Sequence, residues 1–297
     1  MLQSKRSALL LVLSLVGAVL AVATPISAQT SITNVVQLGD SYSAGYGVLS
    51  SRQAATGAPC LTPGFFDTAA VPGGRLSAQL GVPLDFHACG GAEIADVVEQ
   101  YRDAQPAIPG DGTGTVVTFT AGGNDVRTER GDMWTELLTR CILWDTSCER
   151  RSLNRIANLD DVAAQIRALT DEIATTTPRA RVRVLGYPEL MQRSPWCFGV
   201  TGIDRNEADY LDGLARDLND ALEAAVSDVA LERGADIAFV NVEAAFDDHG
   251  ACQTERSGER FVNDTEFLPW SLTVAANSFH PTARGYDAYF DALNASL

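Results

Sequence analysis

The chain has 297 residues and carries a formal net charge of −16 at pH 7. A surface this acidic repels phosphate backbones, which argues against nucleic acid as a partner and against tight docking on anionic membranes. It does not argue against uncharged ligands. The simplest interpretation of the charge is solubility outside the cell.

The first 28 residues are typical of a secretory signal peptide. Lys5 and Arg6 form a basic start, residues 8–22 are apolar, and residues 26–28 form a small-residue cleavage site. The apolar stretch is short for a membrane-spanning helix, although a retained anchor is the alternative. We therefore expect cleavage near Ala28, a secreted product without stable membrane insertion, and one domain over residues 29–297.

Strands and helices alternate along the rest of the chain. Short β-branched runs predict buried parallel strands at residues 35–38, 116–120, 182–185 and 237–240. Apolar residues three or four positions apart predict helices over residues 160–176, 204–231 and 285–297. The alternation implies a parallel sheet with helices on both faces. Three stretches lack clear periodicity and are expected to be long loops around a cleft at the carboxyl ends of the strands: residues 50–75, 127–152 and 246–277.

Six cysteines in an exported chain predict disulfide bonds. Six cysteines allow 15 pairings, and the sequence alone does not choose among them. Their order and loop lengths favour the pairs Cys60 with Cys89, Cys141 with Cys148, and Cys197 with Cys252. No Cys-x-x-Cys pair is present and the three histidines lack metal-ligand spacing, so no metal site is expected.

Two short segments at opposite ends of the chain suggest nucleophilic catalysis. Gly39-Asp40-Ser41 follows the first predicted strand, and a glycine turn after a strand raises the next side chain off the sheet. Ser278-Phe279-His280-Pro281 stands just before the last predicted helix. A serine hydroxyl needs an adjacent base to act as a nucleophile, and a histidine is the usual one.

Four blocks together resemble one family. Gly39-Asp40-Ser41, Gly91, Gly123-Asn124-Asp125 and His280-Pro281 follow the order that defines the SGNH hydrolases, also called the GDSL esterase and lipase family. The match covers nearly all of the mature chain, and the cysteines make it similar to the secreted actinobacterial members, which carry three disulfides. The resemblance implies a three-layer α/β/α sandwich with a central parallel sheet. It also implies a serine esterase or lipase that needs no cofactor and acts on small-molecule or lipid esters.

The resemblance also implies a role for each matching residue. Ser41 would be the nucleophile and His280 the base. The backbone N–H groups of Ser41 and Gly91 and the side-chain amide of Asn124 would form the oxyanion hole. Gly90 is the alternative for the glycine donor, because relatives often have serine at its position.

One position departs from the family pattern. The family usually has an aspartate three residues before the histidine, where this chain has Asn277. The backbone carbonyl of Asn277 could accept the imidazole N–H and leave a Ser41–His280 dyad. The alternative is that the carboxylate of Asp264 or Glu266 takes the place of the missing aspartate.

Two other functions stay open. An esterase that removes acetyl groups from polysaccharide would use the same fold and residues, and a non-catalytic secreted binding protein could share the scaffold. The tryptophans could line a sugar platform or an acyl groove, although packing is the simpler interpretation: residues 134, 144, 196 and 270.

Overall fold

Five parallel strands form one sheet in the computed structural model. They are β1 (Asn34–Gln37), β2 (Leu84–Phe86), β3 (Thr115–Phe119), β4 (Arg181–Leu185) and β5 (Ile237–Val240), in the spatial order β2-β1-β3-β4-β5. The register places Val35 beside Leu84 on one side and beside Val116 on the other. Every residue of β1 and β3 is buried, as is typical of central strands with helices on both faces.

Helices cover both faces of this sheet. They are α1 (Ser41–Ala44), α2 (Pro72–Leu80), α3 (Ile94–Ala104), α4 (Trp134–Leu143), α5 (Leu159–Thr176), α6 (Arg205–Arg233), α7 (Glu243–Phe246) and α8 (Ala283–Ala295). Because crossovers between parallel strands are right-handed, α2 lies on one face and α3, α5 and α6 lie on the other. Helix α8 returns to pack against α2. The predicted three-layer α/β/α fold is confirmed.

The strongest sequence patterns are also confirmed element by element. The longest helix, α6, begins at the capping box of Asp204 and Glu207 and ends at Gly234 in the left-handed conformation. Its predicted apolar positions are all buried: Leu211, Leu214, Leu218, Leu222 and Val226. Burial of this stripe against β5 and α5 stabilises the helix far more than its intrinsic propensity does.

Six of the described strands and helices were not predicted, among them α1 and α7, which are only four residues long. Strand β2 has only three half-buried residues at the sheet edge, so it carries no periodic signal. Helix α2 contains glycine where a side chain would collide, since a Cβ at Gly73 would lie 2.3 Å from the Gln37 Oε1. Helices α3 and α4 are short, and α4 lies inside the stretch 127–152 that was predicted to be loop. That prediction was wrong for α4, and the prediction for 50–75 was wrong from Pro72 onward.

One predicted disulfide lies within the described residues. Cys141 on α4 is bonded to Cys148, which confirms that pair. Cys89 and Cys252 are also disulfide-bonded. Their predicted partners, Cys60 and Cys197, lie outside the described residues, so these two pairings remain predictions.

The structure describes residues 31–48, 68–143, 148, 155–191, 203–252, 259–265 and 277–297. The predicted leader at residues 1–28 lies outside these ranges, and residues from Ser31 to Leu297 group as one unit. Within the described ranges, no helix is long and apolar enough to cross a membrane. The same ranges contain no group of three or more histidine, cysteine or acidic side chains that could hold a metal ion.

A buried carboxylate on α6 fixes the chain that follows β4. Asp212 is fully buried, and its Oδ1 accepts the backbone N–H groups of Leu190 at 2.8 Å and Met191 at 3.1 Å. Its Oδ2 has no hydrogen-bond partner among the described atoms. Burial, reinforced by the nearby Glu189 carboxylate, raises the pKa of Asp212 to about 7.

Asp212→Asn should stabilise the protein at alkaline pH and much less in acid. The pKa is raised on folding, so the wild type loses stability as the pH rises from about 4 through about 7, and the neutral amide does not. Thermal melts should therefore show a Tm difference between variant and wild type that grows between about pH 4 and about pH 7 and is constant above. The exposed Asp217→Asn on the same helix is the matched control. A difference independent of pH would contradict the assignment.

Candidate active site

The turn after β1 places Ser41 at the first position of α1. Gly39 has a φ of +115°, and a Cβ there would lie 2.5 Å from the carbonyl oxygen of Thr120, so only glycine fits. Asp40 caps α1 by accepting the Tyr42 N–H at 3.0 Å. Strand, glycine and cap together raise Ser41 above the carboxyl edge of the sheet.

Ser41 meets His280 from the far end of the chain. The His280 Nε2 lies 2.8 Å from the Ser41 Oγ, and the Nδ1 lies 3.0 Å from the carbonyl oxygen of Ser278. Because a carbonyl can only accept, the Nδ1 of the neutral ring carries the proton and the Nε2 accepts the serine O–H. In this tautomer the histidine can take the proton of the serine.

The backbone before the histidine explains why Ser278 contacts the ring. Phe279 has a φ of +58°, in the left-handed region, and this reversal turns the Ser278 carbonyl toward the imidazole. The Asn277 carbonyl instead accepts the backbone N–H of His280 at 3.2 Å. The predicted acceptor at Asn277 is therefore corrected to Ser278, one residue later.

The left-handed conformation of Phe279 is held from both sides. A non-glycine residue in this region costs about 1–2 kcal/mol, so it persists only where its surroundings fix it. The Phe279 N–H donates to the Asn263 carbonyl at 3.1 Å, and its carbonyl accepts the Tyr42 hydroxyl at 2.6 Å. Because Tyr42 directly follows Ser41, its hydroxyl joins the segment that carries the serine to the segment that carries the histidine.

The side chain of Asn277 has a different task from the aspartate it replaces. Its Oδ1 accepts the Gly47 N–H at 3.0 Å, which ties the loop before the histidine to the loop after α1. The carboxylate of Asp264 forms an ion pair with Arg260. Glu266 lies outside the described residues.

Asn124 lines the same cavity as Ser41 and is tied to the loop that carries Gly91. Its Nδ2 donates to the Ala92 carbonyl at 3.0 Å, and the amide retains a second N–H. Gly91 is exposed and has a φ of +78°. Gly90 is enclosed instead, because a Cβ there would lie 2.2 Å from the Tyr46 hydroxyl, which leaves no room for a side chain.

Asp125 joins the same two loops a second time. Its carboxylate accepts the Ile94 N–H at 3.1 and 3.0 Å, so it caps α3 from a distant part of the chain. Burial is the main cause that raises its pKa to about 6. Asp125 therefore links the loop that carries Asn124 to the first turn of α3.

Asp40 is a buried carboxyl directly before the serine. Burial raises its pKa to about 6, opposed by hydrogen bonds from the Thr120 and Tyr187 hydroxyls, each at 2.5 Å. The sequence gives Asp40 no signal beyond its place in Gly39-Asp40-Ser41, and Tyr187 stands in none of the four family blocks. The one signal for Tyr187 was a polar aromatic side chain just beyond the end of a predicted strand.

An apolar cavity of about 230 Å³ opens beside Ser41, Asn124 and His280. Its walls come mainly from α4, α6 and the segments that lead into α5 and α6, through Trp134, Leu138, Ile142, Ile156, Leu190, Ala215 and Leu218. Trp134 thus lines the cavity, and the other three tryptophans lie outside the described residues. The cavity therefore places a largely apolar surface beside the serine.

A family model described as the GDSL-like Lipase/Acylhydrolase family matches residues 38–288. The chain belongs to this family. The matched range includes both Ser41 and His280, whose side chains the fold brings together. Membership of the family confirms the resemblance that the four sequence blocks predicted.

Relatives from Streptomyces are similar over most of the chain. A lipase of Streptomyces rimosus is 31% identical over 298 residues, which cover 98% of this chain and 96% of that protein. Lipase 2 of Streptomyces coelicolor is 32% identical over 269 residues, which cover 86% of this chain and 83% of that protein.

Two solved structures are also similar. A phospholipase A1 from Streptomyces albidoflavus NA297 has a TM-score of 0.68 at 25% identity, covering 90% of this chain and 100% of that one. An extracellular lipase from Streptomyces rimosus has a TM-score of 0.67 at 28% identity, covering 89% of this chain and 100% of that one. The chain is accordingly an ester hydrolase, a GDSL lipase or esterase of the Streptomyces type.

Substitutions before the histidine should separate the carbonyl from a carboxylate partner. Asn277→Ala keeps every backbone carbonyl and should lower kcat by less than about tenfold. Asp264→Asn should behave in the same way, because its carboxylate pairs with Arg260. Glu266→Gln is the third variant, because Glu266 is the other carboxylate that could take the place of the missing aspartate. Steady-state hydrolysis of a p-nitrophenyl ester is the measurement, and a loss near the roughly 10⁴-fold of a neutralised triad aspartate would identify a carboxylate partner instead.

Proposed function

We propose that the protein is a secreted serine hydrolase that cleaves carboxylic esters of apolar acyl chains through an acyl-serine intermediate. The observation that carries this proposal is the 2.8 Å contact between the Ser41 Oγ and the His280 Nε2 at the wall of an apolar cavity. Secretion is supported by the leader pattern at residues 1–28, by the disulfides, and by the extracellular origin of the Streptomyces rimosus lipase.

Acylation begins with proton transfer from the Ser41 hydroxyl to the His280 Nε2 while the Oγ bonds to the ester carbonyl carbon. Negative charge moves to the carbonyl oxygen, where the Ser41 and Gly91 N–H groups and the Asn124 amide stabilise it. Each such donor contributes about 2.7–4 kcal/mol to the transition state. The C–O bond to the alcohol then breaks, and His280 returns its proton to the leaving oxygen.

Deacylation repeats these steps with water as the nucleophile. His280 takes a proton from the water as its oxygen bonds to the acyl carbon, and the Ser41 Oγ leaves with that proton. During each step the His280 Nδ1–H donates a hydrogen bond to the Ser278 carbonyl. A carbonyl fixes the tautomer as a carboxylate would, but its dipole stabilises the imidazolium less than a full charge does.

The cavity favours an acyl chain over an acetyl group. A 150 Å³ apolar cavity holds benzene, so about 230 Å³ accommodates an acyl chain of roughly six to ten carbons. Acetylated sugar would leave most of these apolar walls in contact with water. The proposal therefore places medium-chain esters ahead of acetylated polysaccharide as substrates.

Ser41→Ala should abolish hydrolysis because it removes the hydroxyl that His280 contacts and that would carry the acyl group. Turnover of p-nitrophenyl octanoate should fall to about one part in a thousand or less, with an unchanged circular dichroism spectrum. An organophosphonate ester should label the wild type at Ser41 and leave the variant unlabelled, as peptide mass spectrometry can show. Unlabelled, inactive wild-type protein would point to the non-catalytic binding protein.

Ala215→Leu should shorten the preferred acyl chain. Ala215 lies on α6 and lines the cavity, so a larger side chain takes up space that the chain end would fill. We expect kcat/KM for the octanoate ester to fall by about tenfold or more while that for the acetate ester changes by less than about threefold. Ala225→Leu, equally buried on α6 but outside the cavity wall, is the matched control. Equal losses for both esters would contradict the assignment of the cavity to the acyl chain.

A further inference from the structure

One tyrosine hydroxyl links the nucleophile turn to the loop that carries Asn124. The Tyr187 hydroxyl donates to the Asp40 Oδ2 at 2.5 Å and accepts the Gly123 N–H at 2.9 Å. Asp40 directly precedes Ser41, and Gly123 directly precedes Asn124. A single oxygen atom therefore stands between the two backbone segments that must hold the reacting serine and the oxyanion donor.

The direction of both hydrogen bonds is fixed at neutral pH. The pKa of Asp40 is about 6, so above this pH its carboxylate can only accept, while a backbone N–H can only donate. The tyrosine proton must then point at Asp40, and a lone pair of its oxygen must face Gly123. Burial also raises the pKa of Tyr187 itself, which keeps its hydroxyl protonated.

The tyrosine is held rigidly enough to transmit this geometry. Asn219 on α6 accepts the Tyr187 N–H at 2.9 Å and donates to the Tyr187 carbonyl at 2.7 Å. The ring meets the Tyr42 ring edge to face, with centroids 5.4 Å apart. A Cβ at Gly123 would lie 3.1 Å from the tyrosine ring, so the loop rests directly against it.

We propose that Tyr187 is a positioning residue of the oxyanion hole. It fixes the peptide before Asn124 relative to Ser41, so that the second amide N–H of Asn124 points at the developing oxyanion. Displacement of a donor by a few tenths of an ångström lowers its effect on the transition state, whereas ground-state binding of an apolar ester changes little. This inference rests on the proposed function, because it assigns Asn124 to the oxyanion hole.

Tyr187→Phe removes one oxygen and keeps the ring, and Tyr289→Phe is its matched control. Tyr289 is also a buried tyrosine of the same core, but its hydroxyl donates to the Gly186 carbonyl at 2.8 Å and does not join the two loops. With p-nitrophenyl butyrate, Tyr187→Phe should lower kcat by about ten- to hundredfold, less than outright loss of an oxyanion donor, with KM within about twofold. Tyr289→Phe should keep kcat within about threefold. Equal kcat losses in the two variants would overturn the proposal.

A double-mutant cycle with Asn124→Ala shows whether Tyr187 acts through that amide. If it does, Tyr187→Phe should cost little further kcat in the Asn124→Ala background, and phosphonate labelling of Ser41 should slow in parallel with kcat in the single variants. Fully additive losses of kcat would overturn the proposal. This outcome counts against it even if Tyr187→Phe is less stable than the wild type. Failure of the proposed function is a distinct result, because the wild type would then be inactive and would not be labelled at Ser41.

Discussion

The buried carboxylate of Asp40 is the interaction on which the site depends. It receives hydrogen bonds from the Tyr42 N–H, the Thr120 hydroxyl and the Tyr187 hydroxyl. These groups follow the carboxyl ends of β1, β3 and β4, three adjacent strands of the sheet. An unpaired buried carboxylate would be costly, so each donor is strongly held in place. The same contact that satisfies the charge therefore sets the spacing of the loops around Ser41.

Among the described residues, the group that accepts the His280 Nδ1–H is the neutral carbonyl of Ser278. A strained residue, Phe279, turns the Ser278 carbonyl toward the imidazole, and Tyr42 and Asn263 hold that strain. A carboxylate at this place would need hydrogen-bond donors of its own. A backbone carbonyl fixes the tautomer with no second buried charge in the same region. The side chain of Asn277 ties the two loops together through its amide oxygen.

The sequence predicts the parts of the fold that repeat and the parts of the site that are local. Alternating patterns located four of the five strands and the long helices, because burial on a regular element leaves a regular signal. The family blocks named Ser41, Asn124 and His280. The acceptor at Ser278 was missed because a left-handed Phe279 has no sequence signature, and Tyr187 was missed because its partners are distant in sequence. Strand β2 gave no signal because it is short and only half-buried. Helix α4 did carry a signal that was missed, since Leu137, Leu138, Cys141 and Ile142 recur at helical spacing and are buried.

Three buried carboxyls, Asp40, Asp125 and Asp212, have pKa values raised to about 6 or 7. A raised pKa of an acid on folding means that stability falls as the pH rises through the interval between the unfolded and the folded value. These three carboxyls therefore lower the free energy of unfolding as the pH rises from about 4 to about 6 or 7. The protein tolerates this loss of stability because the sheet and its two helical layers stabilise the rest of the fold.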